Sequence, residues 1–247
     1  MEHASSLRSM GLIPGPLETE SLFQARVLCA LCRPCPDSPL LSPYQVQAPW
    51  VPVEHNSTEL RFFEGGATLI DQEEDRPIEC RILLGNRSFF IKSEAILAHE
   101  LVHAIRCGFP DSPWEEALAW ATCPSKILRG LSWLVLDMTQ LLLCGCGILA
   151  MLWAWTLSLP WLLPIGVVSL GIAGYRAWIV VYHLRRSLKA LSRASLPTWP
   201  LLLHLLPEEI VLIAREGVPG LHKLLQGSDF RTAFLVEAFP QLREEFE

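Results

Sequence analysis

Two apolar runs constrain what this chain can fold into more than any other feature. The first extends from about Leu131 to Leu157 and the second from about Trp161 to His183. Each exceeds the roughly 20 residues that an α-helix needs to cross a bilayer. Only Ser158, Leu159 and Pro160 clearly separate them, which predicts a tight helical hairpin. A chain of 247 residues that is 51% apolar, with a mean hydropathy of +0.31, agrees with that reading. The competing reading is a hairpin buried inside a soluble protein, and the length and apolarity of both runs argue against it. Trp133, Trp153, Trp155, Trp161 and Trp178 suit interfacial belts in part.

The charges around the runs give an expected orientation. Lys126 and Arg129 precede the first run, and Arg185, Arg186, Lys189 and Arg193 follow the second. Positive charge at both outer ends predicts an integral membrane protein with both termini in the cytosol. Asp137 and Arg176 lie within or near the runs and can pair across the hairpin if their depths match; snorkelling is the alternative. The net charge of −6 is mild, and no basic tract points to nucleic acid. The start, MEHASSLRSMGLIPGP, lacks a basic segment followed by an apolar one, so no cleavable signal peptide is expected.

The expected organisation is an N-terminal helix and proline-rich segment over 1–55, a compact core over 56–130, the hairpin over 131–183 and a helical tail over 184–247 that packs on the core. Glu18 to Leu31 reads as a helix, and RPCPDSPLLSPYQVQAPWVPV as loop or extended chain, because proline fixes φ and removes donors. ELRFF, ATLID, ECRILL and RSFFIK read as short strands, the last two flanking Gly85-Asn86 as a hairpin. The fold class is therefore α+β, with a small antiparallel sheet. In the tail, Leu206-Pro207-Glu208-Glu209 reads as a helix start, broken at Gly217 and Pro219-Gly220. Ser228-Asp229 starts another helix that Pro240 stops.

Eight cysteines do not suggest a disulfide framework in a chain of this kind. Cys29, Cys32 and Cys35 form C-x2-C-x2-C, but no fourth ligand sits nearby at a typical spacing, and free thiols at a helix end are the simpler reading.

The chemistry is concentrated in AILAHELVHAI, from Ala95 to Ile105. Here the spacing turns helical, with Ser93 as N-cap and Glu94 suiting the helix dipole. His99 and His103 stand four residues apart and so share one face, with Glu100 about 100° round from His99. This is HExxH, in which both imidazoles reach one metal ion and the glutamate reaches the attacking water. Downstream, Ser112-Pro113-Trp114-Glu115 reads as a capping box that turns Glu115 back to the helix start. Glu116 is then free to be the third ligand, with Glu115 its substitute. The alternative is a helix whose polar face holds nothing.

An apolar-flanked HExxH after a sheet, followed by a glutamate helix, resembles the zincin metallopeptidases of the gluzincin type. The resemblance covers roughly Leu60 to Thr122. The short separation of His103 from Glu116 is closer to the compact minimal gluzincins than to thermolysin-like members. It implies that His99, His103 and Glu116 bind Zn2+ and that Glu100 is the catalytic base and then acid. It also implies a metallopeptidase acting on a protein or peptide, along an edge strand such as Ser88 to Ile91, and the two apolar runs, which the resemblance does not cover, add the expectation of a membrane anchor. The alternative is a non-catalytic membrane protein with a degenerate zincin-like binding domain. In the heat-shock-type membrane peptidases the third glutamate follows the membrane helices, which here points to Glu208, Glu209 or Glu216. Tyr44, His55 and His204 are candidates to stabilise an oxyanion.

Overall fold

The computed structural model describes all residues except 1, 17, 33–37, 56–57, 61–64, 74–75, 86–91, 127–128, 130–136 and 247. The chain begins with α1 (Glu2–Ser9) and α2 (Glu20–Cys32). Then come β1 (Val53–His55), β2 (Gly66–Asp71) and β3 (Glu79–Leu84). Helices α3 (Ser93–Ile105) and α4 (Pro113–Trp120) follow. The two long apolar helices are α5 (Met138–Thr156) and α6 (Leu162–Arg193). The remaining elements are α7 (Thr198–Leu202), α8 (Pro207–Glu216), α9 (Val218–Leu225), α10 (Phe230–Ala238) and α11 (Pro240–Phe246). The fold is α+β and mostly helical.

The sheet is mixed, which corrects the antiparallel expectation. Its order is β1-β3-β2. β2 and β3 pair antiparallel, with Thr68 opposite Ile82. β1 pairs parallel to β3, with Val53 opposite Ile82. The hairpin partner of β3 is thus β2, across the acidic loop. β1 begins at Val53, the last residue of the proline-rich stretch read as loop or extended chain, and the carbonyl of the preceding Pro52 accepts from the Ile82 amide at 2.9 Å. Most of ELRFF and RSFFIK, the Gly85-Asn86 turn, and Ser88 to Ile91 lie outside the described residues.

α3 lies against β2 and β3. Gly65-Gly66 permits the approach: a Cβ on Gly66 would stand 2.7 Å from Ile96 Cγ2 and 3.2 Å from Glu100 Cγ. α3 buries Ile96, Leu101, Val102, Ala104 and Ile105 as its apolar spacing requires. Its N-cap position falls on Lys92, one residue before the expected Ser93, and no side chain caps it.

α5 and α6 are long and apolar enough to cross a membrane. Only 17% and 22% of their apolar windows are buried, unlike the mostly buried core helix of a soluble protein. They pack along each other, with Asp137 as N-cap of α5, accepting from the Gln140 amide. Arg176 Nη2 meets Asp137 Oδ2 at 2.6 Å, so these two side chains pair across the hairpin. The second helix runs to Arg193, well past His183, because nothing in its sequence breaks helical spacing there.

That extension carries the tail back onto the core. One hydrophobic cluster joins Leu12, Phe23, Ile82 and Leu101 to Leu184, Leu201, Ile210 and Phe234. Ser187 Oγ donates to the Ile210 carbonyl at 2.6 Å, fixing α8 on α6. Gly217 separates α8 from α9, as expected, but Pro219 does not end helical structure. It sits in the first turn of α9, where its missing N–H is harmless.

Candidate metal centre

Three side chains converge between α3 and α4. His99 and His103 lie one helical turn apart on α3, and Glu116 lies in the first turn of α4, which folds back across the short loop from Cys107 to Asp111. His99 Nε2 and His103 Nε2 are 3.2 Å apart. Glu116 Oε2 is 3.4 Å from His99 Nε2, and Glu116 Oε1 is 3.5 Å from His103 Nε2. Zinc bonds of about 2.0–2.1 Å to nitrogen and oxygen imply tetrahedral edges of about 3.3–3.4 Å. The three spacings match that triangle. Two imidazole nitrogens facing each other beside a carboxylate need a shared proton or a shared cation, so this donor set fits a metal ion. Among the described residues it is the group placed to hold one.

The surroundings tune the group. Burial, reinforced by the neighbouring His103 and opposed by Glu116, pushes His99 down to about 4, which keeps its lone pair free at neutral pH. Burial also acts to lower His103, but its hydrogen bond to Glu116 and the charges of Glu116, Glu100 and Glu115 outweigh it and raise the value. Burial acts to raise Glu116, and its contacts with the two histidines and Trp120 hold it below the ordinary carboxylate range. Trp120 packs its ring 4.6 Å from the His99 ring and hydrogen-bonds Glu116, so one side chain braces two of the three candidate ligands. His99 Nδ1 is buried without a partner among the described residues.

Glu100 is buried beside this group. Burial raises its pKa, against His103 and Thr68. Thr68 Oγ1, on β2, is 2.8 Å from Glu100 Oε2 and 2.9 Å from the Glu100 carbonyl oxygen. The hydroxyl has a single proton for two acceptors. It donates to the carboxylate when Glu100 is ionised; when Glu100 is protonated it accepts from the carboxyl and donates to the carbonyl. It can therefore support either state of Glu100.

Glu115 is not a substitute ligand. It is buried and committed to Arg106, whose Nε and Nη2 both lie 2.7 Å from Glu115 Oε1. The expected capping box is likewise absent: Ser112 has the N-cap backbone but makes no side-chain cap, and Glu115 turns to Arg106 instead of the helix start. A buried guanidinium one turn beyond His103 outcompetes a helix-end amide for that carboxylate. The tail glutamates are also elsewhere. Glu209 binds Arg231 and caps the Leu206 amide, Glu216 pairs with Lys223, and Glu208 is exposed.

The oxyanion candidates are placed as follows. Tyr44 is fully buried and donates to the Leu118 carbonyl at 2.7 Å, serving to hold α4. His204 is buried between Phe234 and Phe239 in the tail. His55 is exposed on β1. Sequence reasoning passed over Thr68, Trp120 and Arg106. The available signal was Trp120, four residues after Glu116 and hence on its face. Cys29 and Cys32 are exposed free thiols, and Cys35 lies outside the described residues. No protein-family model, curated protein or solved structure matches the chain.

Proposed function

We propose that this chain is a membrane-anchored, zinc-dependent metallopeptidase. The observation that carries the reading is the His99–His103–Glu116 triangle, at tetrahedral spacing, with the buried Glu100 carboxyl beside it. His99, His103 and Glu116 would hold the zinc, which when bound would supply a Lewis acid to polarise a peptide carbonyl and acidify water.

The chain's own groups do the rest. Glu100 takes a proton from the attacking water and delivers it to the departing amine. Its raised pKa suits a group that must hold the proton between those two steps. Thr68 keeps the carboxyl aimed in both states, and Trp120 holds His99 and Glu116 in register. The substrate is a protein or peptide near a membrane surface, because two membrane helices raise its local concentration there. Positive charge flanking the hairpin favours the cytosolic side.

The test is metal content together with peptide hydrolysis, on full-length protein in detergent. About one zinc per chain is expected in wild type and in Glu100→Gln, with zinc lost in His103→Ala and Glu116→Ala. Hydrolysis of a quenched fluorescent peptide pool should fall by about 10²-fold or more in Glu100→Gln. Zinc without Glu100-dependent turnover would leave a binding domain that keeps a zincin-like site. No zinc after reconstitution would remove the metal reading.

A further inference from the structure

A second cluster of reactive side chains lies behind the sheet. Cys80 is on β3, and Cys107 follows the end of α3. They meet at one backbone oxygen: Cys80 Sγ is 3.9 Å from the Ala104 carbonyl, to which the Cys107 amide also donates at 3.2 Å. The two thiols are hydrogen-bonded to each other. Cys107 is buried, and Cys80 is half-buried.

A guanidinium shares a cavity wall with Cys80. Arg26 is 2% exposed. Its Nε and Nη2 bind Glu18, and Nη2 also reaches the Ile13 carbonyl at 2.8 Å. Nη1 is buried with no hydrogen-bond partner among the described residues. Such a donor is costly unless an acceptor answers it. Besides Glu18, the anionic groups that act on Arg26 are the two cysteines, Cys107 most strongly. The hydrogen bond from Cys80, aided by Arg26, outweighs burial and holds Cys107 below an ordinary thiol, while Cys80 is raised and keeps the shared proton.

The pair is also reachable. A cavity of about 450 Å³ is lined by Arg26, Cys29, Trp50, Leu69, Cys80 and Arg81, so Cys80 and the guanidinium form part of its wall. This separates the pair from Cys123, which is buried and has no place in that wall. A small neutral oxidant such as hydrogen peroxide can enter a space of that size.

We propose that Cys80 and Cys107 are a redox-active dithiol that a peroxide converts to an internal disulfide, joining β3 to the end of the helix that carries His99 and His103. Cys80 passes the shared proton to the Cys107 thiolate and so becomes, at the cavity, the thiolate that reacts. Its sulfur attacks the peroxide O–O bond, forming a sulfenic acid and releasing hydroxide. The hydroxide takes the Cys107 proton and leaves as water. The Cys107 thiolate then attacks the Cys80 sulfur, forms the S–S bond and expels a second hydroxide, which solvent protonates. In sum, two thiols lose two electrons and two protons, and one peroxide becomes two waters. The site does not depend on the metal reading.

The test uses the full chain in detergent, exposed to hydrogen peroxide, with remaining thiols blocked by N-ethylmaleimide and the protein digested without reduction. Mass spectrometry should find the Cys80 peptide joined to the Cys107 peptide, separable by dithiothreitol. The link should form equally in Cys29→Ser. In Cys107→Ser, Cys80 should instead accumulate as a sulfenic acid trapped by dimedone. The proposal is overturned if exposed Cys29 and Cys32 oxidise while Cys80 and Cys107 stay reduced. It is equally overturned if Cys80 is joined to Cys29. The wild-type result decides the matter even where Cys107→Ser fails to fold.

Discussion

A single hydroxyl on an edge strand governs how Glu100 can be used. Thr68 bonds the Glu100 carboxyl and its carbonyl at once, and so ties β2 to the ionisable group of α3. Thr68→Val keeps the shape and removes the bond. A hydrogen bond to a charged group contributes about 1.5–3 kcal/mol, equivalent to about 10- to 150-fold in rate if the loss falls on the reaction step. On the proposed mechanism kcat falls by that order, KM moves little, zinc content stays near one per chain, and Thr68→Ser restores most of the rate. Loss of zinc in Thr68→Val would show instead that the threonine merely holds the fold. Thr68 was invisible in the sequence for a plain reason. Its partner lies 32 positions away, and their meeting depends on Gly66 letting the strand approach the helix. The histidines and Glu100 were legible because helical period alone puts them together.

At the level of elements, α4 separates two adjacent glutamates into different jobs. Successive helical residues point about 100° apart, so when Glu116 faces the histidines Glu115 must face away. It faces Arg106, which closes the C-terminal end of α3 and also donates to the Leu203 and Leu205 carbonyls. Both partners of that ion pair are buried, and breaking such a pair costs about 3–5 kcal/mol because the survivor is left uncompensated. Glu115→Ala should therefore lower the unfolding midpoint sharply yet still bind zinc below that midpoint. Glu116→Ala should lose zinc with a much smaller change in stability, since Glu116 is only partly buried. Equal zinc loss in both would contradict the assigned ligand set. Helix ends and periodicity made α2, α3, α8 and α10 readable to within a residue or two. The sheet was harder. β1 starts where the proline-rich stretch ends and pairs parallel to a strand far along the chain, and no local pattern encodes a partner at that distance.

Across the whole molecule, the tail is part of the same core as the candidate metal centre, and His204 sits where the segments join. It packs between Phe234 and Phe239, next to the charges of Arg8 from α1, Arg106 from the end of α3 and Arg231 from α10. Burial first, and then these three arginines, hold its pKa well below the ordinary histidine value. The folded chain therefore keeps His204 neutral where the unfolded chain, with a value near about 6.5, takes up a proton. Below about pH 6.5 the unfolded state binds more protons, so stability is full above that pH and declines as pH falls. One such group contributes a slope approaching about 1.4 kcal/mol per pH unit. His204→Phe removes the titrating group and keeps an aromatic ring between its neighbours. Chemical unfolding of both proteins across pH 7 to 5, in the same detergent and without metal, should show the mutant less steep by about that amount. His99, also held low, acts in the same sense in both proteins and cancels from the difference. Parallel pH profiles would mean that His204 is protonated in the folded chain, and that the tail's joint to the core carries a fourth positive charge.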